Sequence, residues 1–207
     1  MPITLSPETT KKLQASIKRY RGKASALAIY VGLIRAINLG SHNKVSMADL
    51  RAMLADLGMK NPQSLLQSGN LVFETTARAT APLEQLLESG AAKKLGFETA
   101  FFVRTAAEWQ QAIGDNPFPK EAKLDPGHTV LMCLKDAPTP AAVTSLQDAI
   151  KDREVVQARG RHAYFLYPDG MGRSRLTMTL IEKKLGTTGT ARNWNTVLKL
   201  GALTEKS

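Results

Sequence analysis

The stretch ALAIYVGLIRAINLGSHNKVSMADLRAMLADLG, residues 26–58, decides how this chain is read. Its first nine residues are apolar and rich in branched side chains, the composition of a buried strand. A polar loop leaves through Arg35. Ser46 then stands where an N-cap receives free backbone N–H groups, Asp49 answers it three residues on, and Met47, Leu50, Leu54 and Leu57 recur at helical spacing. Gly58 closes the run where left-handed backbone is wanted. Further along, two short strands at about 63–67 and 70–74 turn around Ser68 and Gly69 as a hairpin. A helix over 82–95 buries Leu83, Leu86 and Leu87, and 99–104 is another strand. Strand, helix, strand, strand, helix, strand is the order of a ferredoxin-like plait, with two helices on one face of an antiparallel sheet.

Thr105 and Glu108 make a second capping box, opening a connecting helix that carries Trp109 and Ile113 and stops before Asn116, Pro117, Phe118 and Pro119. The order then recurs: strand 128–134, helix 141–152, strands 154–158 and 162–167, helix 175–184. The closing strand, due at about 186–190, has no clear apolar pattern, so the second plait reads as degenerate. A helix over 194–203 ends the chain. The expected class is therefore α+β, two tandem ferredoxin-like domains at 25–115 and 116–207. Residues 1–24 stand apart as a basic helical appendage, opened by Ser6 and Pro7, striped by Leu13, Ile17 and Tyr20, and ended by Gly22. A sheet face left without helices would offer a surface for a homodimer.

The chain has 207 residues, 43% hydrophobic and 22% charged, enough apolar material for a core and unlike disordered or collagen-like compositions. Its single cysteine, Cys133, cannot form an intramolecular disulfide, and no secretory-type leader opens the sequence, which together give a cytoplasmic expectation. The uncharged stretch 24–34 is too short for the roughly 20 residues that span a bilayer, so no membrane partner is expected. The formal charge is +10. Six bases against Glu8 in residues 1–24 leave +5, seven against Glu182 and Glu205 in 171–207 leave another +5, and the body between them balances. Basic ends of this kind attract phosphate, which makes nucleic acid one candidate partner.

The segment IYVGLIRAINLGSHNKVSMADLRAMLADLGM (29–59), followed by LQSGNLVF (66–73), resembles the opening of a bacterial family of uncharacterised proteins known as domain of unknown function 1697. RNWNTVLKL (192–200) resembles its closing motif, and NPF (116–118) and LYPDG (166–170) match between them, so the resemblance covers about 26–203. It implies two tandem ferredoxin-like domains and no particular activity. Ala36 and Ser41 stand where the family pattern favours glycine, and residues 61–66 replace a strand that usually carries Thr and Tyr.

Three donor-rich clusters lie within these motifs. Arg35, Asn38 and Lys44, with His42 and Asn43 beside them, leave the first strand; the arginine offers a planar fork for carboxylate or phosphate. Ser68, Gly69 and Asn70 form either a plain hairpin turn or a nest for an anion. Arg192, Asn193 and Asn195 open the last helix, where they either cap it or hold an anion on its free amides. Gathered together, they would form one polar pocket between the domains for an anionic small molecule. The alternatives are an RNA-binding module acting through the basic ends and a scaffold that binds another protein. No metal site is expected, because His42, His128, His162 and Cys133 lack ligand spacing, and no cofactor is expected, because the glycines lack a phosphate-loop or dinucleotide context. The residue pattern assigns no reaction.

Overall fold

The computed structural model describes residues 27–35, 45–66, 69–76 and 79–205. The basic helix expected over 6–21 lies outside them. The first half runs β1 (Ala28–Ile34), α1 (Met47–Asp56), β2 (Lys60–Leu65), β3 (Asn70–Thr75), α2 (Thr80–Leu95), β4 (Phe101–Thr105) and α3 (Ala106–Gly114). A short helix, α4 (Pro119–Leu124), follows where only a proline-rich boundary was expected. The second half repeats the order as β5 (Thr129–Leu134), α5 (Pro140–Ala149), β6 (Val155–Arg159), β7 (His162–Leu166), α6 (Met178–Leu185), β8 (Gly189–Asn193) and α7 (Trp194–Thr204). Both sheets are four-stranded and antiparallel, ordered β2-β3-β1-β4 and β6-β7-β5-β8.

Local chemistry explains most boundaries. Ser46 with Asp49 and Thr105 with Glu108 form the two reciprocal capping boxes, each satisfying two helix-end donors. The hairpin sits earlier than expected, because β2 begins at Lys60 and its pairing with β3 slips between Lys60 and Gln63. Pro62 lies in that slip on an edge strand, where its missing N–H breaks no ladder bond.

The second sheet is complete, which corrects the degenerate reading. Its strand β8, GTARN, pairs with β5 from Gly189 opposite Leu134 to Asn193 opposite Val130. No apolar alternation advertises it, for two reasons. Gly189 has no side chain because a Cβ there would meet Met132 Cε at 2.4 Å and the Cys133 carbonyl at 2.9 Å. At Arg192 the inward-facing residue is a guanidinium rather than a hydrocarbon.

Period-two alternation sorts the strand residues into three cores. Tyr30, Ile34, Leu71, Phe73, Phe101 and Val103 pack under α1 and α2, while Val130, Met132, Leu134, Ala163 and Phe165 pack under α5 and α6. The remaining faces of the two sheets do not reach solvent. Val31, Leu33, Val72 and Phe102 from one sheet and Leu131, Cys133 and Tyr164 from the other share a third core with Trp109 and Ala112 of α3 and Trp194, Val197 and Leu200 of α7. Trp109 Nε1 donates to the Val197 carbonyl at 3.1 Å and Tyr164 Oη to the Ala112 carbonyl at 2.9 Å, so the polar tips inside this layer are satisfied. The sheet face expected to be open for a second copy is therefore interior, covered by the helix that ends each half. Among the described residues no helix is long and apolar enough to cross a membrane.

Candidate functional site

The inward side of β8 places Thr190 and Arg192 between the two sheets. Arg192 reaches out of its own half: Nε donates to Asn70 Oδ1, and NH2 donates to the Ile34 carbonyl at 2.9 Å. NH1 stays at home on Thr190 Oγ1 at 2.9 Å and the Ala191 carbonyl at 2.8 Å. Burial lowers the Arg192 pKa to about 10. Asn70, fully buried at the start of β3, is oriented by its own Nδ2 donating to the Leu65 carbonyl at 3.0 Å. Beside it the Gly69 carbonyl accepts from Ile34 N at 2.9 Å. Gly69 has φ +67°, and a Cβ there would stand 2.9 Å from Ile34 Cβ, so both backbone and space call for glycine.

Arg35 continues the same corner. Its NH2 donates to Glu182 Oε2 on α6 at 2.8 Å, and the other carboxylate oxygen accepts from Gly189 N at 2.9 Å, aligning β8. The structure thus brings Arg35, Gly69, Asn70 and Arg192 together where β1 ends, β3 begins and β8 passes. Asn193 turns away from them as the N-cap of α7, its Oδ1 accepting from Thr196 N and Thr196 Oγ1 at 3.0 Å each. Asn195 is exposed on the first turn of that helix. Asn38, Lys44 and Ser68 lie outside the described residues.

A second arginine, which the sequence reading missed, is fully buried and performs the same reach in the opposite direction. Arg104 of β4, 1% exposed, donates through NH2 to the Leu134 carbonyl at 2.7 Å and the Arg161 carbonyl at 3.0 Å. Its Nε donates to His162 Nε2 at 3.0 Å and its NH1 to the Val103 carbonyl at 2.8 Å. Because Nε2 accepts, the His162 ring is neutral with its proton on Nδ1. Burial and the neighbouring Arg104 and Arg161 lower its pKa to about 4. Lys135 Nζ bonds Glu84 Oε2 at 2.8 Å, Glu88 Oε1 at 2.7 Å and the Phe101 carbonyl at 2.7 Å, with its charge 5.2 Å from the centre of the Phe102 ring. Those two glutamates accept from Val103 N and Phe101 N, the outward donors of edge strand β4. Arg161 joins Glu108 at 3.1 Å and Thr80 at 3.1 Å. Burial opposes ionisation of Glu108, but the Thr105 amide and Arg161 outweigh it and hold the carboxyl below its ordinary range. A cleft of about 220 Å³ opens beside Arg104, Glu108, Arg161 and His162.

The two arginines are counterparts. Arg104 precedes the N-cap Thr105 and takes the last carbonyl of β5, whereas Arg192 precedes the N-cap Asn193 and takes the last carbonyl of β1. His162 and Asn70 each open the third strand of their half, and Lys135 and Arg35 each pair with a glutamate of the opposite half's second helix. The sequence signal was an arginine directly before a helix cap, in RTAAE and RNWNT; the first reads as cap chemistry alone, the second as a cap or an anion site. Cys133 is buried in the shared core, and burial raises its thiol pKa, as suits a packing residue. Among the described residues no three His, Cys, Asp or Glu side chains gather as a metal site.

The chain belongs to the family described as protein of unknown function (DUF1697), whose model matches residues 27–164. The fold is similar to the solved structure of the conserved bacterial protein SP0830 from Streptococcus pneumoniae, with a TM-score of 0.67 and 22% identity over 86% of this chain and 99% of that one. At that identity the likeness shows the fold alone. No curated protein matches the chain.

Proposed function

We propose that the chain is a pair of ferredoxin-like plaits, divided near residue 116, that binds an anionic small molecule at the corner where β1, β3 and β8 meet. The single observation supporting this most strongly is the convergence of motifs far apart in sequence: Arg192 holds Asn70 and the Ile34 carbonyl, and Arg35 follows Ile34 directly. Arg35 is the arm available to a ligand. One of its guanidinium nitrogens is paired with Glu182, while 40% of its side chain remains exposed. Arg192, anchored behind it, supplies a fixed positive field in a region of low dielectric. In this reading Asn38, Lys44 and Ser68, which lie outside the described residues, belong to the same site, while Asn193 caps α7 instead of lining it and Asn195 is exposed on that helix.

A binding role through stacked bases has less support. Tyr30, Phe73, Phe101, Phe102, Tyr164 and Phe165, the phenylalanines and tyrosines of the described strands, are all at most 1% exposed, so neither sheet presents a stacking platform. Nucleic-acid binding would fall to the basic ends. A melting-shift screen of phosphorylated and carboxylated metabolites at fixed ionic strength tests the proposal. A saturable rise in melting temperature with one class, abolished by Arg35→Gln, is the expected result. Retention of RNA that weakens steeply with salt, without any metabolite shift, would favour the nucleic-acid alternative instead.

A further inference from the structure

A large cleft lies away from both arginine corners, in the second half. It measures about 640 Å³, within the range of small-molecule sites at roughly 300–1,000 Å³. The family-like LYPDG segment supplies one wall, and the residues between α5 and β6 supply the other. Most of its charges are already matched. Arg175 grips Asp152 with two bonds, at 2.7 and 3.0 Å, Arg153 meets Asp169 at 3.2 Å, and Ser174 Oγ donates to Glu154. Lys151 and Arg173 also line the cleft, and neither side chain makes an ion pair or hydrogen bond among the described residues.

Tyr167 lines the cleft as well. The residue is 5% exposed, yet its hydroxyl has no hydrogen-bond partner among the described residues. No fully buried side-chain oxygen lacks a partner, so this one reaches the cleft. Burial, with the Glu154 charge nearby, raises its pKa to about 12, and the hydroxyl therefore keeps its proton and donates at neutral pH. Tyr167 and Ser174 also line a second cavity of about 220 Å³ with an apolar wall that includes Met171, Leu176, Met178 and Ile181. Met171, on the 3-10 turn Met171–Arg173, leaves half its surface in solvent.

We propose that these neighbouring cavities, which share Tyr167 and Ser174, form a second ligand site for an amphipathic organic anion. Its carboxylate or phosphate head meets Lys151, Arg173 and the Tyr167 hydroxyl, and its short apolar arm enters the crevice beneath Met171. The two parts divide the work: unmatched cations and a buried donor recognise the head, and the apolar walls select against a bare ion.

Calorimetric titration with hexyl phosphate, hexanoate and inorganic phosphate tests the site. At least one of the two amphiphiles should bind saturably, tenfold or more tightly than inorganic phosphate, and the stronger one identifies the head group. Tyr167→Phe should weaken that binding about fivefold with the melting temperature of the free protein unchanged, and Lys151→Gln with Arg173→Gln should weaken it further. Arg35→Gln should leave it intact, which separates this site from the corner site. Absence of saturable binding by either amphiphile overturns the proposal. So does inorganic phosphate binding as tightly as hexyl phosphate, or wild-type affinity in the Tyr167 and Lys151/Arg173 variants.

Discussion

The corners held by Arg104 and Arg192 share a backbone plan and differ in their charge chemistry. On α2, Glu84 and Glu88 lie one turn apart and both face the Arg104 corner, with Glu84 3.6 Å from the guanidinium. On α6 the equivalent pair is Met178 and Glu182, so a thioether replaces the first carboxylate. The histidine that receives Arg104 is matched by an amide, Asn70, at Arg192. One corner is thus charge-matched by its own carboxylates and carries a titratable ring. The other keeps an exposed arginine at its mouth and a partner that does not titrate. Duplicated geometry does not require duplicated function: a repeated clamp can join two halves at one end and receive a ligand at the other.

The largest effect should come from removing the closed clamp. Arg104→Ala removes the cation 3.6 Å from buried Glu84 and takes its donors from His162 Nε2 and the Val103, Leu134 and Arg161 carbonyls, and breaking a buried pair of this kind costs about 3–5 kcal/mol. Urea unfolding reads that loss directly, and a cost under about 1 kcal/mol would break the comparison by showing the pair to be dispensable. Arg192→Ala should cost less, about 1–3 kcal/mol, since it removes hydrogen bonds to neutral acceptors from a partly exposed side chain. Equal losses would mean that the extra carboxylate at the Arg104 corner contributes nothing.

Mild acid should weaken the Arg104 corner through His162. His162 is neutral in the fold, with a pKa near 4 against an ordinary value of 6.5, so the unfolded chain binds more protons between those limits. Its contribution is fully present above pH 6.5 and fades as pH falls toward 4, amounting to at most about 2 kcal/mol between pH 7 and 5. His162→Asn gives this corner the amide chemistry of the other and should flatten that part of the stability profile, measured by urea titration at each pH. An unchanged acid slope in the variant would place the titration elsewhere.

Where sequence chemistry is local, it revealed the fold. Ser46 with Asp49, Thr105 with Glu108, and the apolar strands around Val31 and Leu131 carry their instructions within a few residues. The hidden features depend on the other half of the molecule. Arg192 makes β8 look like a loop because its buried partners are Asn70 and Ile34, more than a hundred residues away. Arg104 is concealed for the same reason, its acceptors lying at the ends of β5 and β7. The helices α3 and α7 read as a connector and a tail, yet their tryptophans fill the space between the sheets, a role that only the packing of both halves creates. Of the candidate site, the sequence indicated which motifs converge but not that Arg35 would be held by Glu182 on α6.

The most direct test of the division between a structural corner and a receptive one is a melting-temperature titration at constant ionic strength. Wild type, Lys135→Gln and Arg35→Gln are compared, using inorganic phosphate and the best metabolite from the screen. Lys135→Gln removes the cation of the closed corner, so it should lower the starting melting temperature and leave the ligand-induced rise intact. Arg35→Gln should change the starting value little and abolish the rise. An equal rise in wild type and Arg35→Gln, or its loss in Lys135→Gln alone, would contradict the assignment of the anion to the Arg35–Arg192 corner.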